Sequence, residues 1–533
     1  MSAPAATAPA RPTLDVERYR WLILLGLITA AVMEVLDTTI INVALPRMAG
    51  NLGVTEEEIA WVSTCYILAN VVVLPMTAFF TQRFGRRNYL TFSIILFTIA
   101  SFLCGTSSSL TELVIWRLVQ GAGGAALLST AQATLRQIFP QEEQALVQTI
   151  FLLGVIVAPT LGPTLGGYIT DNYTWNWCFF INIPIGIAAA FLVSNFLLDP
   201  PEMRRSSSPV DWTGIVLLIT GVGSLQFVLE EGNRRDWFAD KLIVELAILS
   251  TITLVSLVMW QLSKRNKHPV IDFRVLNNRD LSASIFLFVV LGFGLYGGTF
   301  LFPLFTQSIL GFTPTETGLS MMPGGIATGI FAMACGILLN GARPKADARM
   351  LILMGMALML LAMWTLGHLS SAAGERDAQL ALIIRGAGLG FLFAPINFVA
   401  YGSLKPEDAQ QASGLINLSR QLGGSFGIAI LVAFLTRHIA VHRADLVQNL
   451  VPGTPVFDSR YHALINAMML RGGSLQQAQH LAQTILDGTV MRQAAMLAYN
   501  DCWILLLICF ACVAPAVFLL HKPKGRGAPA DAH

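Results

Sequence analysis

Charge is what this chain has least of. Asp, Glu, Lys and Arg make up 12% of its 533 residues, while 54% are hydrophobic and the mean hydropathy is +0.62. A soluble domain carries roughly 25% charged residues. So little charge cannot cover a water-facing surface, which excludes an ordinary soluble globule and implies a polytopic membrane protein. The 34 basic and 32 acidic residues almost cancel, to +2. No basic cluster is interleaved with aromatics, so nucleic acid is not an expected partner. Cysteine is scarce as well. Six of the seven (Cys65, Cys104, Cys178, Cys335, Cys509 and Cys512) lie inside apolar runs and Cys502 at the edge of one, which argues against a disulfide framework. Cys509 and Cys512 form a C-x-x-C in an apolar helix without His or acid companions, and read as two small packing residues.

Catalytic signatures are missing too. No H-E-x-x-H, Ser/His pair, His/acid cluster or phosphate-gripping loop lies in or beside an apolar run, and most of the eight His, such as His438, His442 and His462, fall in expected loops. Neither a polytopic enzyme, a metal site nor a cofactor is expected. The N-terminus has no cleavable-signal pattern. Residues 1–18, rich in Ala and Pro, read as a tail, and the first apolar run as a signal-anchor.

What is present is a succession of apolar runs long enough to cross a bilayer, about 20 residues each. Hydropathy places fourteen spans, near 19–45, 59–80, 88–106, 112–132, 144–167, 178–198, 211–229, 241–262, 281–310, 314–338, 349–369, 378–402, 411–436 and 498–520. An even number leaves both termini on one side. Lys and Arg concentrate in the short connections of that side, which places both termini in the cytoplasm. The long connection 437–497 is on the opposite face. Within it Leu475, Ala478, Leu481, Ala482 and Ile485 recur at helical spacing, predicting amphipathic helices that serve as a docking surface, a lid or a plain connection.

QGAGGAALL at 120–128 resembles RGAGLGFLF at 385–393. With the seventh and eighth spans set aside, these become the fourth helices of two six-helix halves, a parallel repeat. The expected organisation is a tail (1–18), an N-terminal bundle (19–198), two inserted spans with a cytoplasmic linker (199–280), a C-terminal bundle (281–520) and a second tail (521–533).

The first span carries two acids, Glu34 and Asp37. An ionised acid at a helix centre costs roughly 2.5–3.5 kcal/mol on translocon scales, so both should avoid lipid. Three residues apart, they share a face, and one cavity could hydrate and titrate both. They read either as a proton or substrate path or as a structural pair tied off by a buried Arg or by backbone. In the fourth span, Arg117 is a natural counter-charge for them, followed by Gln120 and small residues that let a neighbouring helix approach. Arg385 and Arg420 add deep positive charge in the second half. Such a cavity suits anionic or amphiphilic cargo, unless Arg420 snorkels to one end of its helix. Asn42, Asn397 and Asn417 are candidate polar contacts.

The fifth span holds Pro159 and Pro163 with Gly154, Gly162, Gly166 and Gly167. That composition makes a poor water-soluble helix but suits a kinked, flat-faced membrane helix able to slide on a neighbour. In the loop after the second span, Arg83, Arg86 and Arg87 crowd a turn at Gly85, where they can anchor orientation and hold the carbonyl ends of nearby helices.

These pieces together resemble the major facilitator superfamily, in particular its fourteen-helix drug:proton antiporters of the EmrB/QacA type, over nearly the whole chain. LDTTIINVALP (36–46) is similar to the family's first-helix motif, with Asp37 at its acid position, and RLVQGAGGA (117–125) to its fourth-helix Arg motif. GxxxAxxxGPxxGG (154–167) resembles the antiporter motif, with Ala158 where Gly is common. WNWCFFINIPIG (175–186) resembles the signature at the fifth-to-sixth turn, and the long outer loop resembles the EmrB subgroup. One departure is Gln82, where the loop motif of the family usually has Asp, so a charge latch does not carry over intact. The resemblance gives Glu34 no role.

It implies an all-α major facilitator fold of two six-helix bundles plus two inserted helices. It further implies an inner-membrane, proton-driven multidrug exporter without cofactors. Its cargo would be an amphipathic or lipophilic drug, and its partners a periplasmic membrane-fusion adaptor and an outer-membrane channel. The alternatives are a proton-coupled carrier of an organic anion or siderophore and, further off, a membrane enzyme.

Overall fold

The structure, a computed structural model, describes residues 16–140, 143–199, 209–339, 346–370, 373–402, 404 and 408–520. The expected tails, 1–18 and 521–533, thus lie outside the described residues except for the start of the first helix.

Apolar runs become helices because a bilayer offers backbone groups no partner but one another. The long helices are α1 (Val16–Leu52), α2 (Trp61–Phe84), α3 (Arg86–Thr106), α4 (Leu110–Ile138), α5 (Gln144–Asn172), α6 (Trp177–Phe196), α7 (Trp212–Glu231) and α8 (Lys241–Leu262). They continue with α9 (Arg279–Leu310), α10 (Pro314–Leu339), α11 (Ala348–Leu366), α12 (Glu375–Gly402) and α13 (Ala409–Val447). A short outer helix, α14 (Pro455–Met469), precedes α15 (Leu475–Val513). Among the described residues, 13 helices are long and apolar enough to cross a membrane. α5, with 29 residues, lies where the fifth span is expected, with several of its side chains, including those of Pro159 and Pro163, outside the described residues.

Local chemistry sets the ends. Ser109 Oγ accepts from the Glu112 amide at the start of α4, and Asn278 caps α9 through the amides of Asp280 and Leu281. Asp211 caps α7 and also accepts from Trp260 Nε1, Gln261 Nε2 and Asn266 Nδ2 at 2.8, 3.1 and 2.7 Å, which pins α8 and the following linker to the start of α7. Between α2 and α3 the chain turns on Gly85, whose φ of 85° and ψ of 150° only glycine adopts without strain.

The packing has two main cores. One lies within residues 281–520, around Phe288, Phe302, Phe305, Trp503 and Phe510; the other within residues 23–197, around Phe97, Leu127 and Phe151. A smaller cluster joins α7, α8, the linker, α2 and α13. The inserted pair therefore leans on the flank where the two halves meet.

The long connection differs from expectation. α13 and α15 run 39 residues each, about 58 Å at 1.5 Å per residue, nearly twice a hydrocarbon core of roughly 30 Å. The outer segment is thus mostly the continuation of two membrane helices, closed at its tip by α14. Ala478 and Ala482 pack on Ile465 of α14, whereas Leu475, Leu481 and Ile485 stay exposed, so only the alanines of the expected stripe are buried.

Candidate functional site

Asp37 and Arg117 form the centre. Asp37 Oδ2 lies 2.6 Å from Arg117 Nη1, both side chains sealed from solvent at 0% and 1% exposure. The other carboxylate oxygen accepts from Gln120 Nε2 at 3.0 Å and Asn182 Nδ2 at 2.9 Å. Arg117 in turn donates through Nε to the Val62 carbonyl and through Nη1 to Gln120 Oε1, and its guanidinium stacks 4.2 Å from the Tyr66 ring centroid. Burying a charge pair costs desolvation on both sides, and the hydrogen bonds to both carboxylate oxygens and from Arg117 Nε and Nη1 offset that cost. Asn182 also donates to Ser101 Oγ, which joins α3 and α6 to the cluster.

Glu34 stands one turn earlier on α1 in a different environment. Oε1 accepts from Asn70 Nδ2 and Oε2 from the Leu128 amide, each at 3.1 Å. Asn70 Oδ1, beside it, has no hydrogen-bond partner among the described residues. The expectation that one cavity serves both acids, with Arg117 as their common counter-charge, is corrected. Asp37 turns toward α3, α4 and α6 and takes the arginine, whereas Glu34 turns toward α2 and α4 and is held by neutral donors. The helix repeat puts the two acids on one face, but α4 crosses that face with Arg117 at one level and Leu128 three turns further on. Arg420 of the second half is the cation within electrostatic reach of Glu34.

Arg420 is buried at 4% exposure and donates to Asn417 Oδ1 at 2.7 Å, so it does not snorkel. Asn417 spans the two halves by donating to Gln132 Oε1 at 3.0 Å. Ser413 Oγ donates to the Ser129 carbonyl at 2.9 Å, and Arg136 stacks on Tyr401. All of these sit in the final third of α4 and the first third of α13, or beside them, at the end of the bundle where the chain termini lie. The halves are sealed together there.

The other candidate cavity residues are hydrogen-bonded within the protein. Arg385 donates to the carbonyls of Gly294 and Leu295 and to Thr299 Oγ1, closing α12 onto α9. Asn397 donates to the Phe393 carbonyl of its own helix, and exposed Asn42 accepts from Ser63. Gln120 belongs to the Asp37 cluster. Each of these four has a protein hydrogen-bond partner in this structure, a pairing that spacing alone does not reveal.

On α5 the glycines face α1. A Cβ at Gly162 would stand 1.9 Å from Thr39 Oγ1, at Gly166 2.7 Å from the Ile40 carbonyl and at Gly154 2.9 Å from Ile28, whereas Gly167 has nothing within 4 Å. α5 also packs on α10, where Leu153 meets Gly329. Near Gly85, Arg86 is buried and bonds Gln137, and the Arg87 amide donates to Asp199 Oδ1 at 3.0 Å. Asp199, at the end of α6, thus brings an acid to the loop in which Gln82 replaces one. Arg83 and Gln82 line a 240 Å³ hollow on this face with Lys267, His268 and Asp408.

Sequence reading missed Asn70, Ser101 and Asn182. Asn182 lay inside the quoted WNWCFFINIPIG, and an Asn in an apolar run was the available signal. It also placed His438 and His442 in a loop with no acid beside them. Both are on α13, and both ring nitrogens meet Asp501 of α15.

Residues 27–428 match the family profile described as Major Facilitator Superfamily. The chain belongs to that superfamily. Membership implies a transporter rather than a membrane enzyme. Among this facilitator's relatives, the multidrug export protein EmrB of Haemophilus influenzae is 33% identical over 466 residues, 87% of this chain and 89% of that protein. The fatty acid resistance protein FarB of Neisseria gonorrhoeae is 32% identical over 521 residues, 97% and 99% respectively. The proton:xylose symporter XylE bound to 6-bromo-6-deoxy-D-glucose shares the fold, with a TM-score of 0.57 at 14% identity over 96% of this chain and 97% of that one.

Proposed function

We propose that this facilitator is a proton-coupled antiporter exporting amphipathic or lipophilic compounds across a bacterial inner membrane, with both termini in the cytoplasm. The observation that carries the reading is Glu34, a buried carboxylate held by neutral donors at the seam between the halves. An acid with no bonded cation can exchange a proton without breaking an ion pair, and intramembrane acids mark ion paths. When Glu34 takes a proton from outside, a flip of the Asn70 amide gives its O–H an acceptor in Asn70 Oδ1. Loss of that charge weakens the pull of Arg420 across the seam and favours separation of the halves at the cytoplasmic end. There cargo enters and the proton leaves. Asp37 and Arg117 hold α1 against α4 through the cycle, and the glycine face of α5 lets α1 move with it.

Cargo of this class needs apolar surface and few polar contacts. The names of the relatives, multidrug export and fatty acid resistance, fit it. Arg420 Nε lacks a partner among the described residues and would suit an anionic headgroup. An importer of an organic anion would respond oppositely to an imposed pH gradient. On the outer face, exposed Val456, Leu470, Leu475 and Leu481 at the tip of α13–α15 offer an apolar surface for a periplasmic adaptor leading to an outer-membrane channel.

The test is acid-driven dye transport in inverted vesicles carrying Glu34→Gln and, separately, Asp37→Asn. Full proton-driven transport by Glu34→Gln would overturn the coupling scheme, whatever Asp37→Asn does.

A further inference from the structure

Where α13 and α15 leave the membrane on the face opposite the termini, His438, His442 and Asp501 converge. His438 Nδ1 and His442 Nε2 each lie 2.7 Å from the same carboxylate oxygen, Asp501 Oδ2, and the three ligand atoms are all within 4.8 Å of one another. The two histidines are four residues apart on α13, one turn, so their rings project from one face toward one point. Their side chains and that of Asp501 are 24–32% exposed, open to solvent on one side and backed by packed helix on the other. The His438 ring stacks on Phe434 at 3.8 Å, which fixes its plane.

From this convergence we propose a divalent transition-metal site of the zinc class, built from His438 Nδ1, His442 Nε2 and an Asp501 oxygen, with water at the open position. Two imidazoles and one carboxylate are a donor set for such an ion, and three protein ligands plus water complete four-coordination. Metal–nitrogen and metal–oxygen bonds of about 2.0–2.2 Å in a tetrahedron separate neighbouring ligand atoms by about 3.3 Å. The present 2.7 Å contacts must therefore open by about 0.6 Å on metal entry, within the reach of side-chain torsions on a solvent-facing site. Each imidazole must also present a lone pair where it now donates a proton. His438 would keep its proton on Nε2 and His442 on Nδ1. In the metal-free form the same three groups are joined by hydrogen bonds alone, so the tie between α13 and α15 exists in both forms and the ion tightens it.

The position gives the site a consequence. Below it α13 and α15 are packed in the bundle; above it they form the projection that carries α14. Further out Arg443 pairs with Asp487 at 2.7 Å, and Arg492 donates to the Ile309 carbonyl at the end of α9. A metal at the base joins the two helices at the point where lipid no longer holds them.

The test uses the full-length, tag-free protein in detergent, with Zn²⁺ and Co²⁺ as probes. Equilibrium dialysis should find one Zn²⁺ per chain that is lost in a His438→Gln/His442→Gln variant, whose amides still donate to Asp501, and retained in His462→Ala on α14. Co²⁺ titrated into the wild-type protein should give the intense visible bands of four-coordinate N/O ligation, removed by added Zn²⁺. Unchanged Zn²⁺ stoichiometry and affinity in the double variant would overturn the proposal. So would the absence of those Co²⁺ bands in the wild type, a result that does not depend on whether any variant folds.

Discussion

Arg117 donates to Asp37 across 2.6 Å in a fully buried cluster, while Glu34, one turn away on the same helix, bonds only an amide side chain and a backbone N–H. Two acids in one span are thus chemically unequal, and they should respond differently to the same substitution.

Asp37→Asn leaves Arg117 buried beside a neutral group. Removing one partner of a buried pair costs about 3–5 kcal/mol. The variant is expected to express poorly, melt at a lower temperature in detergent and lose transport, while Asp37→Asn/Arg117→Gln recovers much of the melting temperature without recovering transport. A single variant as heat-stable as wild type would show that the pair does not hold α1 to α4.

In Glu34→Gln the amide oxygen still accepts from the Leu128 N–H, and its NH2 can donate to Asn70 Oδ1 once the Asn70 amide flips, so the proton site is removed while both contacts are kept. Its melting temperature should match wild type. In vesicles, pH-driven accumulation should fall to the level of empty vesicles while substrate exchange at zero gradient continues. Retained pH-driven accumulation would assign the proton to another group.

Gly162→Ala puts a methyl 1.9 Å from Thr39 Oγ1, whereas Gly167→Ala meets nothing within 4 Å. Overpacking of this kind costs about 1–3 kcal/mol. The first change should slow transport and lower stability, and the second should be silent in both assays. Equal behaviour of the two would mean that α5 does not pass its load through α1.

Gln132→Ala removes the bond from Asn417 that joins the halves. A hydrogen bond contributes about 0.5–1.5 kcal/mol net, so opening at that end should rise roughly 2- to 12-fold. In a cysteine-free background with Ser413→Cys, the rate of maleimide labelling measures it. An unchanged rate would place the seal elsewhere.

Deletion of residues 455–490 removes α14 and about two-fifths of α15 at its outer end. Proton/substrate exchange in vesicles should persist, and drug resistance of cells should be lost. Cells that stay resistant would show that the projection docks no partner needed for efflux.

The sequence by itself determined the class of fold and the elements that build it. Apolar runs of about 20 residues mark the crossings, because in lipid a single run can satisfy its own backbone groups only as a helix. Asp37 and Arg117 were legible as partners since neither acid nor arginine can face lipid alone. Which acid the arginine would take was not legible. That choice depends on the level at which α4 crosses α1, set by Gly121 against the Tyr66 carbonyl and by the contacts of α3 and α6. Packing alone bonded Arg385 to α9, turned the outer connection into two prolonged membrane helices, and brought His438 and His442 to Asp501, 63 and 59 residues along the chain. Helical spacing determines which residues share a face, but the partner for a buried polar group comes from another helix, at a height and rotation decided by packing.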